Sequence, residues 1–314
     1  MVQLPEQATV PTMYFIGVTT TKSSIMTLFP KWAKVLGFPN AVLKGIDLAI
    51  HADPSEYRKV VEFIKNDELS LGALVTTHKI DLYEAAKDLF DEMDPYAKMF
   101  GELSCISKKE GKLRGHAKDP ISSGMALERF IPDNYWSQSE GETLLLGAGG
   151  SAIAISSYLM NGEKGNETPK RLVITDMNEK RLEEIKHILS KVNSDANVEY
   201  HLISSSEENG ALLQSLADNS LIINATGLGK DRPGSPLTDA AQFPSNSFVW
   251  ELNYRGDRDF MHQALAQAER GQLQVEDGWI YFLHGWTQVI AEVFHLPIEG
   301  ETFQQIEEIS NQSR

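Results

Sequence analysis

The sequence predicts an α/β protein of two α/β domains, the second built on a doubly wound parallel sheet, with a cleft between them. Three observations carry this. Strand-length apolar runs alternate with helix-length amphipathic stretches along most of the chain. A run of small residues, Gly147-Ala148-Gly149-Gly150-Ser151-Ala152, joins one such strand to the next helix. The length of 314 residues exceeds what one hydrophobic core ordinarily serves, since domains run to roughly 100–200 residues.

The alternation starts with a strand at Tyr14–Val18 and a helix from Ile25 to Leu36, whose Ile25, Leu28, Trp32, Val35 and Leu36 fall at helical spacing. A strand lies within Ala41–Ile50. Pro54 then opens a helix with Tyr57, Val60, Val61 and Ile64 on one face, because a proline's missing N–H costs nothing in a first turn. Leu71–Val75 is the next strand, and a helix is predicted over Ile80–Met93 with Ile80, Tyr83, Ala86, Leu89 and Phe90 as its buried stripe. Leu103–Ser107 and Lys112–His116 read as a strand pair around the turn Lys109-Glu110-Gly111. From Thr143 the pattern restarts: strand Thr143–Leu146, helix Ser151–Met160, strand Arg171–Thr175, and a helix after Asn178 carrying Leu182, Ile185, Leu189 and Val192. Val198–Ile203, a helix around Leu212–Leu216, Ser220–Asn224 and Ser247–Leu252 continue it. Strands separated by helices of this length need crossover connections, hence a parallel sheet. A long apolar helix from Gly278 to Phe294 and an amphipathic one near Phe303–Ile309 close the chain.

Composition narrows the function classes. With 29 Lys and Arg against 44 Asp and Glu, the net charge of −15 opposes nucleic acid and anionic lipid as partners. Apolar residues at 41% and charged residues at 23% are ordinary for a globular chain, and no apolar run approaches the ~20 residues of a membrane span. Met1–Thr12 lacks the basic and apolar regions of a signal peptide, and the single cysteine, Cys105, permits a reducing cytoplasm. Cys105 reads as a packing residue of a strand rather than a nucleophile. No His/Cys/Asp/Glu spacing matches a metal site.

The small-residue turn is what a pyrophosphate needs. Gly147, Gly149 and Gly150 let backbone N–H groups approach phosphate oxygens, Ser151 and Ala152 open the helix, and the helix N-terminus adds about half a positive charge. The spacing is G-x-G-G-x-A, with Ala152 at the helix-packing position of a Rossmann-type dinucleotide site. Asp176, at the end of the following strand, is placed to accept hydrogen bonds from an adenosine ribose and to repel a 2′-phosphate, which favours NAD. NADP stays open, because Lys180 and Arg181 lie within reach of such a phosphate; a helix cap is the alternative role for Asp176.

From about Ile16 to Phe294 the chain resembles the shikimate/quinate dehydrogenase family. Val75-Thr76-Thr77-His78-Lys79 resembles V-T-x-P-x-K, Gly115-His116-Ala117-Lys118-Asp119 resembles G-x-N-T-D, and Gly147–Ala152 resembles the family's glycine turn. Asn224-Ala225-Thr226-Gly227-Leu228-Gly229 resembles N-A-T-x-x-G, and Glu251-Leu252-Asn253-Tyr254 resembles D-x-x-Y. The resemblance implies a discontinuous substrate-binding catalytic domain, residues 1–122 plus 285–314, and an NAD(P)-binding domain at 123–284. It assigns Lys79 and Asp119 to catalysis, Ser23, Thr76, Ser104 and Tyr254 to the substrate, and Asn224, Thr226 and Gly278 to the cofactor alongside the glycine turn and Asp176. The implied reaction removes a hydride from a secondary alcohol while its hydroxyl proton leaves to the lysine. A small-molecule substrate and a homodimer are the expected partners.

The sequence departs from this family at substrate contacts. Ile25 stands at the second serine of S-x-S, Ala117 at an asparagine, Ser104 at another, and Gly285 at a late glutamine, while the lysine motif is one residue shorter and lacks its proline. Such losses cost binding of the original polyol acid. Lys22, His78, His116, Lys118, His284 and Trp286 enter the same neighbourhood, with Lys22 or Lys118 as receivers for a carboxylate or phosphate and the histidines as hydrogen-bonded structural groups. Two alternatives stand beside a dehydrogenase of a cyclic hydroxy acid or polyol. One is a catalytically silent NAD-binding regulator. The other is a cyclic-imine or folate-type dehydrogenase, which requires Trp279, Tyr281 or Trp286 to form an aromatic wall for a flat heterocycle.

Overall fold

The computed structural model describes residues 2–162, 167–193, 195–230 and 232–314. The chain divides into two compact units, Met1–Lys118 with Gly285–Arg314, and Asp119–His284.

The first unit begins with β1 (Thr12–Gly17), α1 (Ile25–Val35), β2 (Val42–Asp47), α2 (Pro54–Asn66), β3 (Ser70–Val75) and α3 (Lys79–Ala86). It continues with β4 (Glu92–Met93), α4 (Pro95–Phe100), β5 (Cys105–Lys109) and β6 (Lys112–His116). Asp53 caps α2 by accepting the Ser55 N–H at 2.9 Å, and Pro54 sits in the first turn; Tyr57, Val60, Val61 and Ile64 are buried as the spacing predicted. The helix predicted to Met93 ends instead at Ala86, because Glu92 and Met93 pair with Arg114 and Gly115 of β6 as a parallel strand. Of the predicted stripe Ala86 is buried, but Ile80 is 38% exposed, and Leu82, outside the stripe, is the other buried residue of the helix. The sheet order is β2-β1-β3-β5-β6-β4. β1 is parallel to β2 and β3, while β5 runs antiparallel to β3 and to β6. The C-terminal ends of β1, β3 and β6 and the start of β5 therefore meet at one edge. Cys105 is fully buried, and burial pushes its thiol far above the usual range, as befits a packing residue.

The second unit holds α5 (Asp119–Leu127), α6 (Tyr135–Gln138), β7 (Thr143–Leu146), α7 (Gly150–Leu159), β8 (Leu172–Asp176), α8 (Glu179–Val192) and β9 (Val198–Leu202). There follow α9 (Ser206–Gln214), β10 (Leu221–Asn224), β11 (Phe248–Glu251), α10 (Asp259–Leu265), α11 (Ala268–Gly271) and β12 (Gln274–Glu276). Its strand order, β12-β11-β10-β7-β8-β9, is parallel throughout and reverses direction between β7 and β10. This is the Rossmann arrangement, which brings ligands to the carboxyl ends of the strands at the reversal point. Leu144, Val173, Ile222 and Val249 face a common core with Leu213 and Phe260. α12 (Trp279–Phe294) passes from this unit back into the first, where α13 (Gly300–Asn311) buries Phe303 and Ile306. Among the described residues, no helix is long and apolar enough to cross a membrane, and no group of three or more His, Cys, Asp or Glu could hold a metal ion.

Candidate active site

In the first unit, four of the predicted residues gather at the common edge of the sheet. The Thr76 N–H donates to the Ile16 carbonyl (3.0 Å), which ties the turn after β3 to the end of β1. Thr77 has φ +60°, a left-handed conformation that costs a β-branched residue energy and holds only where its surroundings impose it. Lys79 then opens α3, and its carbonyl accepts the Leu103 N–H (3.1 Å). Ser23 ends a short 3-10 turn, Thr20–Lys22, half-buried, with its N–H on the Thr20 carbonyl (3.0 Å).

Two residues of this edge make contacts that sequence spacing does not reveal. The Ser104 hydroxyl is buried and accepts the backbone N–H of Lys118 at 2.7 Å, so it holds the chain that leads to Asp119. Lys118 Nζ lies 2.6 Å from Glu292 Oε2 on α12, which balances its charge. Burial works against the Glu292 charge, yet the Lys118 hydrogen bond and the nearby His116 and Lys118 hold its carboxyl below the usual range. His116 bonds Ser107 Oγ (2.9 Å), and burial keeps its imidazole below the ordinary value, so it is a structural group. Ile25 is fully buried in the core, and Ala117, also buried, donates its N–H to Asp94 (3.2 Å). A Cβ built on Gly285 meets nothing within 4 Å, so open space lies where a longer side chain would stand. Lys22 is exposed. Asp119 opens α5, where its carbonyl accepts the hydroxyls of Ser122 (3.1 Å) and Ser123 (2.8 Å).

The second unit places Gly147–Ala152, Asp176, Asn224, Thr226, Tyr254 and Gly278 at or just beyond the carboxyl ends of its strands. Gly147 has φ +102°, and a Cβ there would stand 2.9 Å from the Ala225 carbonyl oxygen, so only glycine fits. Gly149 and Gly150 differ, because added Cβ atoms would meet nothing within 4 Å. No side-chain hydrogen bond caps α7. This is the cradle a pyrophosphate requires, and the residues present fit a dinucleotide. Asp176 closes it: Oδ2 accepts the Ala148 N–H (2.8 Å) and Oδ1 the Asn178 N–H (2.8 Å). The α8 cap is Asn178, which accepts the Lys180 N–H (3.0 Å), so the cap role considered for Asp176 falls to its neighbour.

Asn224 and Thr226 shape the adjoining loop. Asn224 Oδ1 accepts the Thr226 N–H (3.1 Å) and hydroxyl (2.7 Å), while Nδ2 donates to Glu251 (2.9 Å). Glu251, fully buried, also accepts the backbone and side-chain N–H groups of Asn253 at 2.8 and 2.7 Å. Burial pushes its carboxyl up to about 7 against the pull of these donors. This hub was given no role from sequence, although the fragment Glu251–Tyr254 had been singled out. A Cβ on Gly278 would lie 1.9 Å from the Leu252 carbonyl, so glycine there admits the β11 exit backbone. His284 is buried, and burial lowers its imidazole to about 4, leaving it neutral at pH 7.

The three aromatic residues Trp279, Tyr281 and Trp286 pack against different rings. Trp279 stacks on Phe282 (5.3 Å) beside Tyr254 (4.7 Å from Phe282), Tyr281 meets the edge of Trp250, and Trp286 packs edge-on to Phe15. Tyr254 is thus a member of this aromatic cluster, with Lys230 5.5 Å from its ring centroid.

Fold and site together describe a two-unit α/β protein with a dinucleotide-type phosphate cradle. The chain is a divergent relative of the shikimate and quinate dehydrogenases. It is 25% identical over 232 residues to a shikimate dehydrogenase (NADP+) of Lactococcus lactis subsp. cremoris, covering 72% of this chain and 76% of that protein. Among solved structures, the quinate dehydrogenase of Corynebacterium glutamicum in complex with NAD matches with a TM-score of 0.73 and 16% identity, covering 97% of this chain and 99% of that one. Shikimate 5-dehydrogenase of Listeria monocytogenes, in complex with shikimate and NAD, matches equally at 0.73, with 19% identity over 98% of this chain and 99% of that one. No family model matches the chain.

Proposed function

We propose that the protein is an NAD(P)-dependent dehydrogenase moving a hydride between a nicotinamide cofactor and a secondary hydroxyl of a cyclic hydroxy acid or polyol. The observation that carries this reading is the open space before Gly149 and Gly150 at the head of α7, at the reversal point of a parallel sheet. The activities for which the relatives are named agree with it. The second unit would hold the cofactor and the first the substrate.

Asp176 favours NAD over NADP, because a partly buried carboxylate at the end of β8 repels a 2′-phosphate while its oxygens have lone pairs left for ribose hydroxyls. A bound nicotinamide supplies the acceptor for the hydride. The chain supplies the proton chemistry: Lys79 as an amine takes the hydroxyl proton as the carbon–hydrogen bond breaks, and Asp119 orients that hydroxyl. The open space at Gly285, where the family has a glutamine, supports a substrate whose ring is substituted differently from shikimate.

The test is NADH formation with NAD or NADP against shikimate, quinate and a panel of cyclic polyols and hydroxy acids, alongside calorimetric titration of NAD. Turnover with one of them supports the reading. Tight NAD binding with no turnover moves the assignment to a silent regulator.

A further inference from the structure

The turn that presents Lys79 has no proline between Val75 and Lys79 and carries a threonine in a left-handed conformation. Left to itself, such a segment would relax, since a non-glycine residue at positive φ is uphill and nothing covalent restricts its neighbours. Something else has to hold it.

His78 is the residue between that threonine and Lys79. Its side chain is buried, and Nδ1 lies 3.1 Å from the Tyr57 hydroxyl of α2. The same hydroxyl accepts the Ala52 N–H (3.3 Å) and donates to Asp81 Oδ2 on α3 (3.3 Å). Asp81 Oδ2 in turn lies 3.0 Å from Nδ1 of His51, whose side chain is 82% exposed. With the Tyr57 proton given to Asp81, the hydroxyl oxygen accepts from His78 in the tautomer that carries its proton on Nδ1. Burial and the Asp81 charge push the Tyr57 hydroxyl up to about 12, so it keeps its proton at neutral pH. Two segments distant in sequence, the Thr76–His78 turn continuing into α3 and the chain that enters and forms α2, thus converge on one oxygen atom.

We propose that the His78–Tyr57–Asp81 hydrogen-bonded chain fixes the turn that carries Lys79, with His78 and Tyr57 acting as positioning residues that do by hydrogen bonding what a proline ring would do covalently. The link to catalysis rests on the reading of Lys79 as the group that takes the substrate proton. Neither His78 nor Tyr57 touches substrate in this scheme. Both act through the placement of Lys79, where a displacement of about 1 Å costs up to a hundredfold in rate.

Tyr57→Phe deletes the oxygen and leaves the ring. Amide hydrogen exchange of residues 76–82, followed by mass spectrometry on the full chain without ligand, is expected to quicken about fivefold, the value of one neutral hydrogen bond. Exchange in residues 143–160 should not change. With whichever compound of the panel turns over, kcat is expected to fall about tenfold while the KM for NAD stays within twofold. His78→Asn, which keeps a hydrogen-bonding atom near the place of Nδ1, should retain more of kcat than His78→Leu. Unchanged exchange in Tyr57→Phe overturns the proposal whatever the activity. So does faster exchange with full kcat, since the turn would then be loosened without consequence for Lys79. Absence of turnover in the unaltered protein with every compound sinks the dehydrogenase reading instead, and the exchange rates then decide by themselves whether the chain fixes the turn.

Discussion

Asp176 Oδ2 accepts the backbone N–H of Ala148 at 2.8 Å, so the acidic residue ending β8 also closes the glycine turn that ends β7. One carboxylate therefore shapes the glycine turn, and in the proposed function it also sets the choice of cofactor. Asp176→Asn keeps an acceptor for Ala148 and removes the charge. The ratio of kcat/KM with NADP to that with NAD should rise at least about tenfold, the effect of roughly 1.4 kcal/mol of relieved repulsion. An unchanged ratio would remove Asp176 as the discriminator.

The glycines of the turn should separate into two kinds. Gly147→Ala forces a Cβ against the Ala225 carbonyl at positive φ, so it should lower the unfolding midpoint by several degrees, for a loss on the order of 1–3 kcal/mol. Gly150→Val puts side-chain atoms into open space, so the fold should tolerate it while NAD affinity drops more than about tenfold. Thermal unfolding and titration calorimetry on both variants read the two effects independently.

Lys79→Ala should reduce turnover by about a hundredfold or more, the usual contribution of a positioned acid or base, and leave the dissociation constant for NAD within about twofold. Turnover near the unaltered rate would refute the proton-transfer role.

Buried Glu251 and His284 make opposite contributions to stability as pH changes. Glu251 is raised to about 7 in the folded chain from an ordinary 4.5, so its contribution is fully present below 4.5 and is lost as pH rises through 7. His284 is lowered to about 4 from 6.5, so its contribution is present above 6.5 and is lost as pH falls toward 4. Glu251→Gln removes the first and leaves the second. The difference in unfolding free energy, unaltered protein minus variant, should therefore fall with pH between 4.5 and 7 by up to about 1.4 kcal/mol per unit. Urea unfolding at closely spaced pH values measures it; a flat difference would show that Glu251 titrates normally.

Most of the second unit was legible from sequence, because its signals are local. A buried strand followed by small residues and a helix is specified within a dozen positions, and β7, α7, β8 and α8 lie within two residues of where periodicity put them. The elements that escaped, β4, α4, α5, α6, α10, α11 and β12, are short, and what holds a short element is its partner rather than its own pattern. β4 is two residues long and exists through pairing with Arg114 and Gly115, which no helical or alternating count across Ile80–Met93 could reveal.

The site divides along the same line. Sequence alone determined that a phosphate cradle ends β7 and an acid ends β8, since neighbours in the chain define both. It could not say that Ser104 spends its hydroxyl on Lys118, that Lys118 is neutralised by Glu292, or that Tyr57, His78 and Asp81 share one hydrogen-bonding centre. Those pairings join residues 14 to 174 positions apart. Hydrogen bonds and ion pairs are decided by proximity and burial in space, and only the folded chain sets either.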